Sequence, residues 1–175
     1  LNLWEAASFR LLKVVAPRGG DSGMLAGSEY SSRSHVHELL PADVLKSVVG
    51  KVIFDFGCGT GMDALEFARL GAKKVVGIDI QERWLQVARE HSARLGVQNI
   101  EFVQSTSEQA DVVFSVNAFE HFSDPAFILN EMSKRLAPSG EVHVAFGPTW
   151  LHPAGGHLFS VFPWSHILLP EKALI

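Results

Sequence analysis

The chain has 175 residues, enough for one domain with one sizeable core, and its 47% hydrophobic and 19% charged content excludes disorder as the default. A net charge of −4 argues against a protein built to hold a nucleic-acid backbone, so no nucleic-acid partner is expected. A single cysteine, Cys58, excludes an internal disulfide, and no apolar run approaches the ~20 residues that cross a bilayer; a reducing, cytoplasmic setting without a membrane span is expected.

Leu3, Phe9, Leu11, Leu12 and Val15 recur at near-helical spacing and Pro17 ends the run, which predicts an amphipathic helix over 3–15. That stretch is too mixed for a signal peptide, and the missing initiator Met is read as a start inside a longer chain. Residues 17–34 are rich in Gly and Ser and predict a loop; a short helix over about 36–48 follows. Five short apolar stretches come next: Val52–Phe56, Lys74–Ile78, Ile100–Gln104, Asp111–Val116 and Glu141–Phe146. Near-continuous hydrophobicity of this kind marks strands buried on both faces. Amphipathic stretches at 61–70, 82–95 and 125–136 separate them, and Gly71, Gly96 and Gly140 stand where left-handed residues end helices. Alternation of this kind predicts an α/β fold with a doubly wound, mostly parallel sheet.

One connection is short. Six residues separate the third strand from the fourth, where a parallel crossover takes about a dozen or more. In a sheet of order 3-2-1-4 a link of that length reaches at most roughly 20 Å, too little to pass around a covered sheet. Either residues are absent at this link or the topology differs, and the first is expected.

The chemistry is concentrated in Asp55-Phe56-Gly57-Cys58-Gly59-Thr60-Gly61, a buried strand running into glycines and then a helix. Glycines there let a ligand approach the main chain, and the helix start behind them offers free N–H groups. The dinucleotide fingerprint wants G-x-G-x-x-G, but position 62 is Met. The spacing here is D-x-G-x-G-x-G, with an acid that repels a pyrophosphate and suits a cationic ligand. Asp79 stands at the tip of the second strand, about 20 residues past the glycines, where a carboxylate can accept from two ribose hydroxyls. Its competing reading is a cap for the next helix. Ile80 would lie against an adenine face. Asp63 and Glu66, just inside the first helix, read most simply as partners of its dipole.

Together DFGCGTG, GIDI, NAFEHFSDP and LAPSGEVHV resemble the Rossmann-like S-adenosylmethionine-dependent methyltransferases, in the branch of ubiquinone and small-molecule methyltransferases. The resemblance covers roughly residues 50–147. It implies S-adenosylmethionine as cofactor, with Asp55, Gly57, Cys58, Gly59 and Gly61 around its methionine and sulfonium end. By the same resemblance Asp79 and Ile80 hold its ribose and adenine, and the Asn117 carbonyl receives its ammonium group. Where the family carries an acid for the adenine amino group, this sequence has Thr106, so Thr106 or Ser107 takes that place. Sheets of this family usually carry two more strands, so the C-terminal end is expected to be incomplete.

On the acceptor side the resemblance implies in-line methyl transfer to O, N or C of a small-molecule acceptor. His121, beside Glu120 after the fourth strand, is the candidate general base; its competing reading is a structural cap. The tail after residue 147 gathers His152, His157 and His166 with Trp150 and Trp164, an aromatic segment suited to a flat acceptor. No cysteine or nearby carboxylate completes a metal site there, and none is expected. Tyr30 is a candidate for a lid over bound donor, with a loop anchor as the alternative. The expected organisation is residues 1–49 as N-terminal helices and lid-like segment, 50–147 as the donor-binding core and 148–175 as the acceptor-side segment of the same domain. A non-catalytic module that binds S-adenosylmethionine or S-adenosylhomocysteine is the alternative to an enzyme. The acceptor's identity and the oligomeric state are not legible.

Overall fold

The computed structural model describes residues 2–15, 33–147, 149–153 and 163–174. By internal contacts the chain divides into two compact units, Tyr30–Phe146 and Leu1–Glu29 with Gly147–Ile175. In these units residues 33–49 group with the sheet and the N-terminal helix with the tail.

The smaller unit pairs helix α1 (Leu3–Val15) with short C-terminal helices. Leu12 packs on Leu169 and Ala173 in a small buried cluster, and His166 lies edge-on to Trp150 with ring centroids 4.8 Å apart.

In the larger unit the chain runs through α2 (Val36–Leu39), α3 (Ala42–Ser47), β1 (Val52–Phe56), α4 (Met62–Arg69), β2 (Lys74–Ile78), α5 (Glu82–Leu95) and β3 (Ile100–Val103). It then forms β4 (Ala110–Val116), a single 3₁₀ turn (Phe119–His121), α6 (Pro125–Lys134) and β5 (Leu136–Ala145). All five strands are parallel, in the order β3-β2-β1-β4-β5. One face carries Ile53, Val75, Val112 and Phe114 under Phe67 of α4, Leu85 and Ala88 of α5, and Val36 and Leu45 of the preceding helices. Phe67 and Phe114 stack at 4.3 Å. The other face buries Phe54, Phe56, Val76, Ile78 and Val113 with Met132 of α6. Burial on both faces explains the unbroken apolar runs in the sequence.

Two local expectations need correction. The single helix over 36–48 is two, because Pro41 restricts the residue before it to extended backbone; Leu40 sits at φ −109°, ψ 139° and Pro41 is the N-cap of α3. Gly140 ends no helix. It lies inside β5, which begins at Leu136, and the left-handed residue is Ser139 at φ 67°. The register slips between Ala110 and Val112, which accommodates the early start of β5.

The strand order is the one the helical pattern implies, so the topology does not differ. Residues 104–109 make the connection with no helix. Side chains tie them to the sheet on the side that carries Phe56. Arg135 Nε donates to the Thr106 carbonyl (3.1 Å) with its guanidinium 5.9 Å over the Phe56 ring, and Lys74 Nζ donates to Glu108 at 2.7 Å. A link tied down by these side chains, with no helix of its own to accommodate, can cross two strands in so short a segment.

Candidate functional site

The site gathers at the carboxyl ends of β1, β2 and β4, where open α/β sheets bind ligands. The Gly57 and Cys58 amides both donate to the Ile78 carbonyl, at 2.8 and 3.1 Å, folding the glycine loop over the end of β2. Asp79 then fixes it from the side: Oδ2 accepts from the Gly59 amide at 3.0 Å and Oδ1 from the Gln81 amide at 2.8 Å. The second bond shapes the turn into α5, so the capping reading of Asp79 and its link to the loop are both present. At the tip of β4, Asn117 adopts φ 50°, uncommon for a non-glycine residue, while its amide is held by the Ala145 carbonyl at 2.8 Å.

These elements enclose a cavity of about 630 Å³, lined by Gly57, Gly59, Asp79, Ile80, Asn117 and His121 among others. Ile80 is 85% exposed, so its apolar face is free to cover a ligand. Gly59, at φ 49°, has nothing within 4 Å of where a Cβ would stand, so the main chain there is open to a ligand.

Other expected residues stand elsewhere. Gly61 (φ 79°) starts α4 and packs against the protein itself: a Cβ would lie 2.7 Å from Ala88 and from the Phe102 ring. Cys58 turns into the core, and burial pushes its thiol well up, so it is neither a nucleophile nor a cavity wall. Asp55 is 2% exposed beneath α4, and its Oδ2 has no hydrogen-bond partner among the described residues. Burial first, then Asp63 and Asp79, holds its carboxyl well above the usual range.

Thr106 and Ser107 do not line the cavity; Gln104 and Ser105 do. Because β3 ends at Val103 and the link turns away at once, the Thr106 hydroxyl accepts from the Glu108 amide instead. Glu120 is exposed and outside the cavity wall. His152 is exposed and belongs to the smaller unit. Tyr30 and His157 lie outside the described residues. Sequence reasoning missed Phe122, Phe127 and Arg135 on the cavity wall. Their signal was weak: α6 is amphipathic, and nothing local tells which half-buried aromatic faces a cavity.

The family model described as a methyltransferase domain matches residues 47–147, the stretch that builds this sheet and cavity. The chain belongs to the S-adenosylmethionine-dependent methyltransferase family. It is 36% identical over 129 residues to a ubiquinone biosynthesis O-methyltransferase of Acinetobacter baumannii (strain AYE), covering 69% of this chain and 53% of that protein. It is 41% identical over 101 residues to the enzyme of the same name from Erwinia tasmaniensis, covering 53% and 41%. The chain thus spans about half the length of the curated relatives it matches. In fold it is similar to a SAM-dependent methyltransferase from Aquifex aeolicus, with a TM-score of 0.54 at 23% identity over 69% of this chain and 71% of that one.

The residues present fit the methyl donor of this family. The cavity is within the roughly 300–1,000 Å³ of small-molecule sites, and an open glycine, a carboxylate rim and an exposed apolar side chain meet in it. Each Asp79 oxygen accepts one amide and keeps a second lone pair for a hydroxyl. No helix among the described residues is long and apolar enough to cross a membrane.

Proposed function

We propose that this chain is the donor-binding core of an enzyme that transfers a methyl group from S-adenosylmethionine to an oxygen of a small-molecule acceptor. The observation that supports the reading is the Asp79–Gly59 bond at the rim of the cavity, where a carboxylate with lone pairs to spare for ribose hydroxyls stands beside an exposed main chain. The names of the relatives favour oxygen as the acceptor atom.

S-adenosylmethionine supplies an activated methyl group on a cationic sulfur. The protein is left with orientation, exclusion of water and, for a hydroxyl acceptor, removal of a proton. Asp79 would bind the ribose, Ile80 would cover the adenine, and Gln104 or Ser105 would reach its edge in the role expected of Thr106. The Asn117 carbonyl, at the left-handed tip of β4, would receive the ammonium group, with Gly59 leaving the main chain open to the ligand, whereas a Cβ at Gly57 would meet Ala118 at 2.6 Å. His121 lines the same cavity and would accept the acceptor proton. Phe122 and Phe127 give that end of the cavity apolar walls suited to a ring.

Parallel titration calorimetry with S-adenosylmethionine, S-adenosylhomocysteine and NAD tests the reading. Binding of the first two and not of NAD is expected; binding of NAD alone would overturn it. With a responding acceptor, His121→Ala should slow turnover about 10²- to 10⁴-fold, the contribution of a general base, and leave donor affinity unchanged.

A further inference from the structure

Asp63 does something other than neutralise a helix dipole. Its Oδ1 accepts from the Ser34 hydroxyl at 2.7 Å and from the His35 amide at 2.8 Å, partners 29 and 28 residues away. The Ser34 hydroxyl in turn accepts from the Val36 amide at 3.3 Å, so one carboxylate oxygen organises the start of α2. One turn further along α4, Glu66 Oε1 meets His37 Nε2 at 2.9 Å. Two acids three residues apart on one helix face therefore hold the segment 34–37. Buried Val36 and Leu40 pack into the same core cluster as Ala64, Phe67 and Ala68.

This turn of α4 is also tied to the donor site. Gly61 starts it, the Ala64 amide donates to Asp55 at the end of β1, and the glycine loop runs directly into it. The connection is a continuous set of hydrogen bonds and packed main chain from Ser34 through Asp63 and α4 to the loop that lines the cavity.

We infer that Asp63 is a positioning residue for the donor: its carboxylate latches residues 34–37 to the first turn of α4, so that the order of this segment and the affinity for donor are coupled. The inference rests on the donor-binding reading of the cavity. Hydrogen bonds, not charge, make the latch. Asparagine keeps an Oδ1 that accepts from both Ser34 and His35, and alanine keeps nothing.

The experiment measures affinity for S-adenosylhomocysteine by calorimetry and amide exchange at residues 35–37, in wild type, Asp63→Ala, Asp63→Asn and Ser34→Ala. Asp63→Ala should weaken binding about tenfold and speed exchange at 35–37, with Asp63→Asn within about threefold of wild type and Ser34→Ala between them. In wild type, bound S-adenosylhomocysteine should slow the same amides. Faster exchange in Asp63→Ala with wild-type affinity would reduce the latch to a local support and overturn the coupling. Equal loss in the asparagine and alanine variants would overturn the hydrogen-bond mechanism. If Asp63→Ala does not fold, Ser34→Ala and Asp63→Asn still decide between these outcomes. A wild-type protein that binds neither donor nor product would sink the donor-site reading, and the coupling with it. Failure of the latch alone shows instead as intact wild-type binding that the variants do not change.

Discussion

Asp79 and Gly59, twenty residues apart in sequence, meet at 3.0 Å, carboxylate to amide, and this bond closes the glycine loop onto the tip of β2. The same side chain is therefore both a part of the loop's geometry and a candidate ligand group. Asp79→Ala removes both and should weaken S-adenosylmethionine binding by about 1.5–3 kcal/mol, the scale of hydrogen bonds to charged groups. Calorimetric titration checks this, and unchanged affinity would refute the role of the residue.

Two glycines of the loop should separate stability from binding. Gly61→Ala drives a Cβ to 2.7 Å from Ala88 and from the Phe102 ring at φ 79°, so a loss of about 2–4 kcal/mol of stability is expected from overpacking and strain. Gly59→Ala meets no protein atom within 4 Å and should cost about 1–2 kcal/mol for its left-handed backbone. It should nonetheless reduce donor affinity more than the first substitution does in the protein that remains folded. Urea titration paired with calorimetry separates the two effects.

Asp55 carries a pH signature. Its carboxyl is raised by burial and by Asp63 and Asp79, so the native state holds a proton that the unfolded chain has released. Stability from this group is present below the unfolded value near pH 4 and declines as pH rises toward the raised native value. Asp55→Asn has no proton to lose. It should match wild type in melting temperature near pH 4 and exceed it near pH 7, by an amount that grows with pH. A difference independent of pH would contradict the assignment.

Arg135 clamps the helix-free link. Besides the Thr106 carbonyl, its guanidinium donates to the Glu131 carbonyl and carboxylate, each at 2.8 Å. Arg135→Met keeps much of the stem over Phe56 but leaves those acceptors without their donor, and should destabilise the protein by about 1–3 kcal/mol. Arg135→Lys should recover little, because a single ammonium nitrogen cannot stand at both places where the guanidinium sets its Nε on Thr106 and its Nη1 on Glu131. Denaturant midpoints of the two variants test this.

The sheet was legible in the sequence because β1 and β2 are buried on both faces, which leaves an unbroken apolar run with no competing period. Helix α5 was legible to its ends, since Gly96 (φ 66°) closes it. The start of β5 was not, because Pro138-Ser139-Gly140 looks like a turn and enters the sheet only through the register slip beside Ala110. In the site, the loop glycines and Asp79 announce themselves by spacing. The division of labour among them does not, since whether Gly59 or Gly61 faces open space depends on Ala88 and Phe102, far off in sequence. Asp63 was invisible for the same reason: its partners lie 28 and 29 residues upstream, and from its own neighbourhood it is an ordinary acid in a first turn.

The link between β3 and β4 forms one wall of the cavity through Gln104 and Ser105, yet it contributes no strand and no helix. Exposed irregular backbone of this kind tolerates changes in length cheaply, at about 0.6 kcal/mol for each doubling. The wall nearest Ile80 is consequently the part of this pocket where insertion can reshape what is admitted, while the glycine loop and its carboxylate, locked to the sheet, keep their form.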